Sequence, residues 1–163
     1  MTGTKKKQEN GEHPFGDLGQ LISLGLFLTV WVGDSFIVRK STFLSGDAPL
    51  YIRLVILGLA LVTATCLYKS GHDVVRHEGR SSSVVSTGAF RYVRHPLYLA
   101  SILTYLGLTV STMSLLSFVL LVGIFIFHNY IANYEEKLLE ARFGEEYRRY
   151  KKRTGKWVPG IGK

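Results

Sequence analysis

Residues 115–131, LLSFVLLVGIFIFHNYI, are apolar almost without a break, and residues 134–143, YEEKLLEARF, follow with no Gly or Pro between. As a helix, the first run is long enough to cross most of a bilayer's hydrocarbon core. The second keeps the helical period, with Tyr134, Leu138, Leu139 and Phe143 on one stripe. The spacing predicts one helix that leaves the membrane and continues into water. Gly144 is a natural stop. Glu145 to Lys152 reads as a short amphipathic helix carrying Tyr147 and Tyr150, and no helix extends past Pro159.

Three more apolar runs precede this one, at 18–38, 50–68 and 96–110. The first has 21 residues, and as a helix it would rise about 30 Å. A soluble domain of 163 residues could not bury four such runs and still cover them. The expected fold is therefore an all-α integral membrane protein, with about four transmembrane helices and a cytoplasmic C-terminal helical extension. Residues 1–15 are polar, hold Lys5, Lys6 and Lys7, and read as a disordered cytoplasmic tail. They separate the first apolar run from the start, unlike a signal peptide. Residues 16–163 read as a single domain.

Twenty Lys and Arg stand against twelve Asp and Glu, for a net charge of +8. Nucleic-acid binding would show the same sum, but here the basic residues flank apolar runs. Cytoplasmic loops and anionic lipid headgroups account for them better, and nucleic acid is set aside as a partner. The 111–114 turn has no charge and the 39–49 loop only Arg39, Lys40 and Asp47, while the tail, the 69–95 connection and the C-terminal segment are rich in Lys and Arg. The positive-inside rule places both termini in the cytoplasm after four crossings. The only cysteine, Cys66, lies in an apolar run, which excludes a disulfide framework and a cysteine-type zinc site within one chain. Asp34 and Arg53 stand near the ends of the first two spans, where they could snorkel to one interface and pair.

The polar residues converge on two stretches. Arg91-Tyr92-Val93-Arg94-His95-Pro96-Leu97-Tyr98 enters the third span. Pro96 suits a first helical turn, and His95 then lies at the cap. A helix N-terminus with Arg91 and Arg94 beside it favours a carboxylate or phosphate. A basic cuff reading only lipid headgroups accounts for the same residues. The second stretch is the pair Glu135-Glu136, costly beside a membrane unless paired with the basic connection or a bound cation. A solvated face shared with Lys137 and Arg142 is the plainer account. His128 and Asn129 precede the two glutamates by two helical turns and share their faces. His128 is either a hydrogen-bonded core histidine or a contact to substrate or cofactor. The spacing of His72, His77, His95 and His128 matches no metal-ligand pattern.

These stretches resemble the motifs of the isoprenylcysteine carboxyl methyltransferases and related phospholipid methyltransferases. Residues 87–98, TGAFRYVRHPLY, are similar to that family's arginine-histidine-proline-x-tyrosine motif. Residues 135–150, EEKLLEARFGEEYRRY, are similar to its glutamate pair followed by Leu, Phe-Gly and two tyrosines, and Trp157-Val158-Pro159 to its close. The likeness covers roughly residues 85–160. It implies a membrane methyltransferase using S-adenosylmethionine, held at the cytoplasmic face by these motifs. Carried over by position, Arg94, His95, Pro96, Tyr98, Glu135 and Glu136 would bind the cofactor. Arg148, Arg153 and Trp157 would meet the substrate. His128, Arg149 and Glu136 would serve the chemistry, with a base needed only for an amine or thiol acceptor. The acceptor would be a carboxylate, amine or thiol on a lipophilic small molecule or a lipid-linked group arriving among membrane lipids. A sterol- or fatty-acyl-type reductase using NADPH is the alternative enzyme. A non-enzymatic protein that binds anionic lipid is the alternative outside enzymes.

Overall fold

The computed structural model describes residues 16–78 and 83–160. The predicted tail at 1–15 and the serines Ser81 and Ser82 lie outside the described residues. The elements are all helical: α1 Gly16–Val32, α2 Leu50–Glu78, α3 Pro96–Thr112, α4 Leu115–Phe143 and α5 Glu145–Arg153. Short helical turns at Gly33–Val38, Phe43–Gly46 and Gly88–Arg91 join them. Three segments, Leu18–Val38, Leu50–Arg76 and Leu115–Phe143, are long and apolar enough to cross a membrane. The fourth, Pro96–Thr112, is a shorter apolar helix. Leu21, Leu59, Val62, Val119 and Ile126 are all more than 60% exposed. Apolar surface in that quantity needs lipid to cover it, so the chain is an all-α integral membrane protein.

α2 extends ten residues beyond the predicted apolar run at 50–68, to Glu78. The hydropathy pattern marks where lipid stops. Lys69, His72, Asp73 and Arg76 can all continue a helix in water. The first span behaves in the opposite way: its α-helix ends at Val32 and closes in a wider π turn over Gly33–Val38.

The chain divides into two compact units. One comprises residues 17–65 and 100–128 and holds most of the apolar helices. Its core is Phe27, Tyr105, Leu121 and Ile124, with Trp31, Ile102, Leu108 and Leu120 packed around them. Phe27 and Tyr105 stack with ring centroids 4.5 Å apart. Gly107 lets α3 approach α2 closely, since a Cβ there would lie 2.9 Å from that of Ala60. Asp34 and Arg53 take separate partners, contrary to the pairing expected above. Asp34 accepts the hydroxyls of Ser41 and Ser114, while the Arg53 guanidinium donates to the Ser111 carbonyl at 2.9 Å. Ser114 in turn caps α4, its Oγ accepting the Ser117 N–H at 3.1 Å, and Ser41 Oγ accepts the Leu116 N–H at 3.0 Å. Two of the orphan donors at that helix start are satisfied in this way.

The other unit comprises, among the described residues, Gly16, 66–78, 83–99 and 129–160. It is polar and is held by hydrogen bonds to backbone groups, between its two stretches of chain and within the first. Val93 bridges to Gly155, and the Arg94 N–H donates to the Gly155 carbonyl at 2.9 Å. The Tyr150 hydroxyl donates to the Phe90 carbonyl at 2.7 Å, and Ser70 Oγ accepts the Ala89 N–H at 2.9 Å. Gly88 opens this loop with φ at +54°, and a Cβ there would meet Val74 at 2.8 Å and Ser70 at 2.9 Å. Gly88→Ala is therefore expected to destabilise this unit by roughly 2 kcal/mol, from left-handed strain plus overpacking. Chemical denaturation followed by circular dichroism checks it.

Candidate active site

The site grows from the start of α3 and the polar half of α4. Pro96 begins α3, with its ring fully buried. Its fixed φ and missing N–H suit that position. Gly71 on α2 makes room for it, since a Cβ there would sit 3.2 Å from Pro96 and Leu97. His95 and Tyr98 are thereby fixed on either side of the proline, with rings stacked 5.7 Å apart. On α4, Ile131 and Ala132 pack beneath Tyr98 and Trp157, and the following turn carries Glu135 and Glu136.

The two motifs meet at these carboxylates. The Tyr98 hydroxyl donates to Glu135 Oε1 at 2.8 Å. Glu136 Oε1 accepts Arg94 Nε at 2.9 Å and lies 3.3 Å from His95 Nε2. His95 Nδ1 stands 3.8 Å from Glu135 Oε2. Lys151 of α5 reaches Glu136 Oε2 at 3.7 Å and Glu140 at 3.2 Å. The Arg94 and Glu136 side chains are 6% and 8% exposed, so this is a desolvated ion pair rather than a surface one. Arg94 Nη1 also donates to the carbonyls of Lys151 and Thr154. The guanidinium thus joins the start of α3, the end of α4 and the end of α5. The sequence reads Arg94 as a cofactor contact; in the structure its Nε and Nη1 are engaged by this clamp.

Two tyrosines of α5 line the buried side. Burial pushes the Tyr147 phenol well above its ordinary range, and the Glu136 charge adds to the effect. Tyr150 is raised chiefly by burial too. Both stay neutral and contribute hydroxyls, not charge.

Of the remaining sequence candidates, Trp157 joins the cluster and the others make separate contacts. Arg148 is exposed and pairs with Glu140 at 2.9 Å and with Glu145. Arg149 and Arg153 are exposed and line a shallow groove with Glu146 and Lys152. His128 belongs to the apolar unit; it is fully buried, and its Nδ1–H donates to the Ile124 carbonyl at 3.0 Å. Trp157 joins the cluster, its ring 5.7 Å from His95 and its Nε1 donating to Asn129 at 3.2 Å. Sequence reasoning passed over Lys151, Thr154, Asn133 and Lys156. A signal existed for two of them, since Tyr147, Tyr150, Lys151 and Thr154 fall at i, i+3, i+4 and i+7 on one helix face.

Fold and site together define an integral membrane protein with a charged, aromatic cluster built from two motifs. The chain belongs to the phospholipid methyltransferase family, whose profile matches residues 52–146. That match takes in the first motif whole and the second as far as Glu146. A methanethiol S-methyltransferase of Crocosphaera subtropica is 31% identical over 146 residues, covering 90% of this chain and 49% of the relative. Methanethiol S-methyltransferase 1 of Bradyrhizobium diazoefficiens is 39% identical over 70 residues, covering 43% and 24%. The cobalt-zinc-cadmium resistance protein CzcN of Cupriavidus metallidurans is 30% identical over 119 residues, covering 70% and 51%. The chain spans about half the length of the first and last of these and a quarter of the second. No solved structure matches the chain.

Proposed function

We propose that this protein transfers a methyl group from S-adenosylmethionine to the thiol of a small or lipophilic acceptor, at the cytoplasmic face of the membrane. The observation that carries the reading is the meeting of Tyr98 and His95 with Glu135 and Glu136. A carboxylate pair bordered by aromatic rings suits a ligand with an ammonium, a sulfonium and a flat base. Glu136 is engaged by Arg94 and Lys151, so Glu135 and Tyr98 are assigned to the ammonium end. His95, Tyr98 and Trp157 offer ring surfaces. Pro96 and Arg94 position these groups. When bound, S-adenosylmethionine supplies an electrophilic methyl group that an anionic sulfur takes by in-line displacement.

The thiol acceptor is favoured over a carboxylate or amine by the two relatives named methanethiol S-methyltransferases. Arg149 and Arg153, with Arg148 on the adjacent turn, form the basic edge where anionic lipid or an acceptor's polar end would rest.

Methyl-labelled S-adenosylmethionine incubated with a panel of thiols, amines and carboxylates tests the reading. Label is expected in thioethers. Transfer confined to amines or carboxylates would overturn the acceptor class. His95→Ala is expected to lower the rate by roughly 10- to 100-fold, as loss of one hydrogen bond to a charged group does.

A further inference from the structure

Lys156 stands in the segment after α5 and has no role so far. Its Nζ donates to Asn133 Oδ1 at 2.6 Å and to Asn129 Oδ1 at 3.0 Å. The two asparagines lie four residues apart on one face of α4. Asn129 Oδ1 is itself fixed by the Trp157 indole N–H at 3.2 Å. Lys156 Nζ lies 5.8 Å from the Trp157 ring centre, and that ring neighbours His95. An ammonium has three N–H donors. The amide oxygens take two, and among the described residues none accepts the third. The side chain is half-buried, so part of it stays open to solvent. A lysine with a purely structural task would be expected on a carboxylate, as Lys151 is on Glu136 and Glu140. Here both partners are neutral, and the positive charge is aimed without being neutralised.

We propose that Lys156 binds the anionic atom of the methyl acceptor, a thiolate, with its third N–H, while Asn129 and Asn133 hold the ammonium in place. The inference rests on the methyl-transfer reading above and names the group that receives the acceptor. The acceptor's thiol proton passes to water. The sulfur lone pair forms the new carbon–sulfur bond as the sulfonium carbon–sulfur bond breaks, its electron pair staying on the departing thioether. Lys156 remains an ammonium throughout, and the thiol ionises because its anion is stabilised.

The charged groups bearing on Lys156 are Glu136, Arg94 and Lys151. Burial pushes its ammonium below the ordinary lysine range; Glu136 opposes this, and Arg94 and Lys151 add to it. The ammonium is present below that lowered value and lost as pH rises through it. Acceptor binding is thus expected to fail on the alkaline side earlier than an ordinary lysine would allow.

The test uses benzyl mercaptan in the presence of S-adenosylhomocysteine, with the thiolate read from its ultraviolet absorbance across pH. In wild type the bound thiol is expected to ionise at least about one pH unit below the free thiol. Lys156→Arg should keep that shift, and Lys156→Gln should lose it and bind the thiol about 10- to 100-fold more weakly. Asn133→Ala should lose part of it, which keeps the test available if Lys156→Gln does not fold. Affinity for S-adenosylhomocysteine, measured by calorimetry on the same samples, should stay within about threefold, less than one such hydrogen bond contributes. A full ionisation shift in Lys156→Gln would overturn the proposal. Failure of folded wild type to bind S-adenosylhomocysteine would instead overturn the methyl-transfer reading.

Discussion

Glu136→Ala is expected to lose about 3 to 5 kcal/mol of unfolding free energy and to bind S-adenosylhomocysteine too weakly to measure. The stability loss follows from what is left behind. Arg94 is 6% exposed and has Glu136 as a carboxylate partner at 2.9 Å. Removing one member of a buried pair strands the other charge in a low-dielectric site. Lys151 loses one of its two carboxylates at the same time. The binding loss follows from position, because His95 lies 3.3 Å from the carboxylate that is removed. Glu136→Gln should fall between the two, keeping an acceptor for Arg94 Nε but no charge. Circular-dichroism melts in detergent and calorimetric titration separate the two losses. A Glu136→Ala protein with wild-type stability would show that the ion pair is not desolvated as described.

Arg94→Ala is expected to be equally damaging, for a different reason. Its guanidinium ties Glu136 to the carbonyls of Lys151 and Thr154, and its own N–H ties to Gly155. The side-chain truncation frees the end of α5, so the segment carrying Lys156 and Trp157 should become accessible to protease. A paired substitution distinguishes clamp from ligand. Arg94→Met with Glu136→Leu removes both charges and keeps most of the volume. Replacing a buried pair by apolar side chains is often neutral or stabilising. The double variant should therefore regain most of the stability while binding of S-adenosylhomocysteine stays lost. Recovery of binding along with stability would mean that Glu136 acts only as a strut.

The fold was legible wherever apolar runs dictated it. The continuation of the last span into a charged helix was visible because Tyr134, Leu138, Leu139 and Phe143 keep period, and α4 does run unbroken from Leu115 to Phe143. The Gly144 stop is equally visible, with φ at +53°. The end of α2 was not, because leaving lipid does not require leaving the helix. The fates of Asp34 and Arg53 depended on Ser41, Ser114 and Ser111, small residues with no pattern in sequence. In the candidate site, the motifs named the residues that meet, but not which charge neutralises which. Arg94 reads in sequence as an anion ligand, and only tertiary contact shows its fork turned inward onto Glu136. Lys156 escaped notice because its partners lie 23 and 27 residues away on another helix.

The central claim is that Tyr98 and Glu135 meet to receive one end of an S-adenosyl ligand. The most direct measurement is calorimetric titration of detergent-solubilised wild type and Glu135→Gln with S-adenosylhomocysteine, each checked for an unchanged melting curve. One site per chain is expected in wild type, with affinity at least about tenfold weaker in the variant, as loss of a charge-assisted hydrogen bond implies. Absence of binding to folded wild type, or identical affinity in the two proteins, would contradict it.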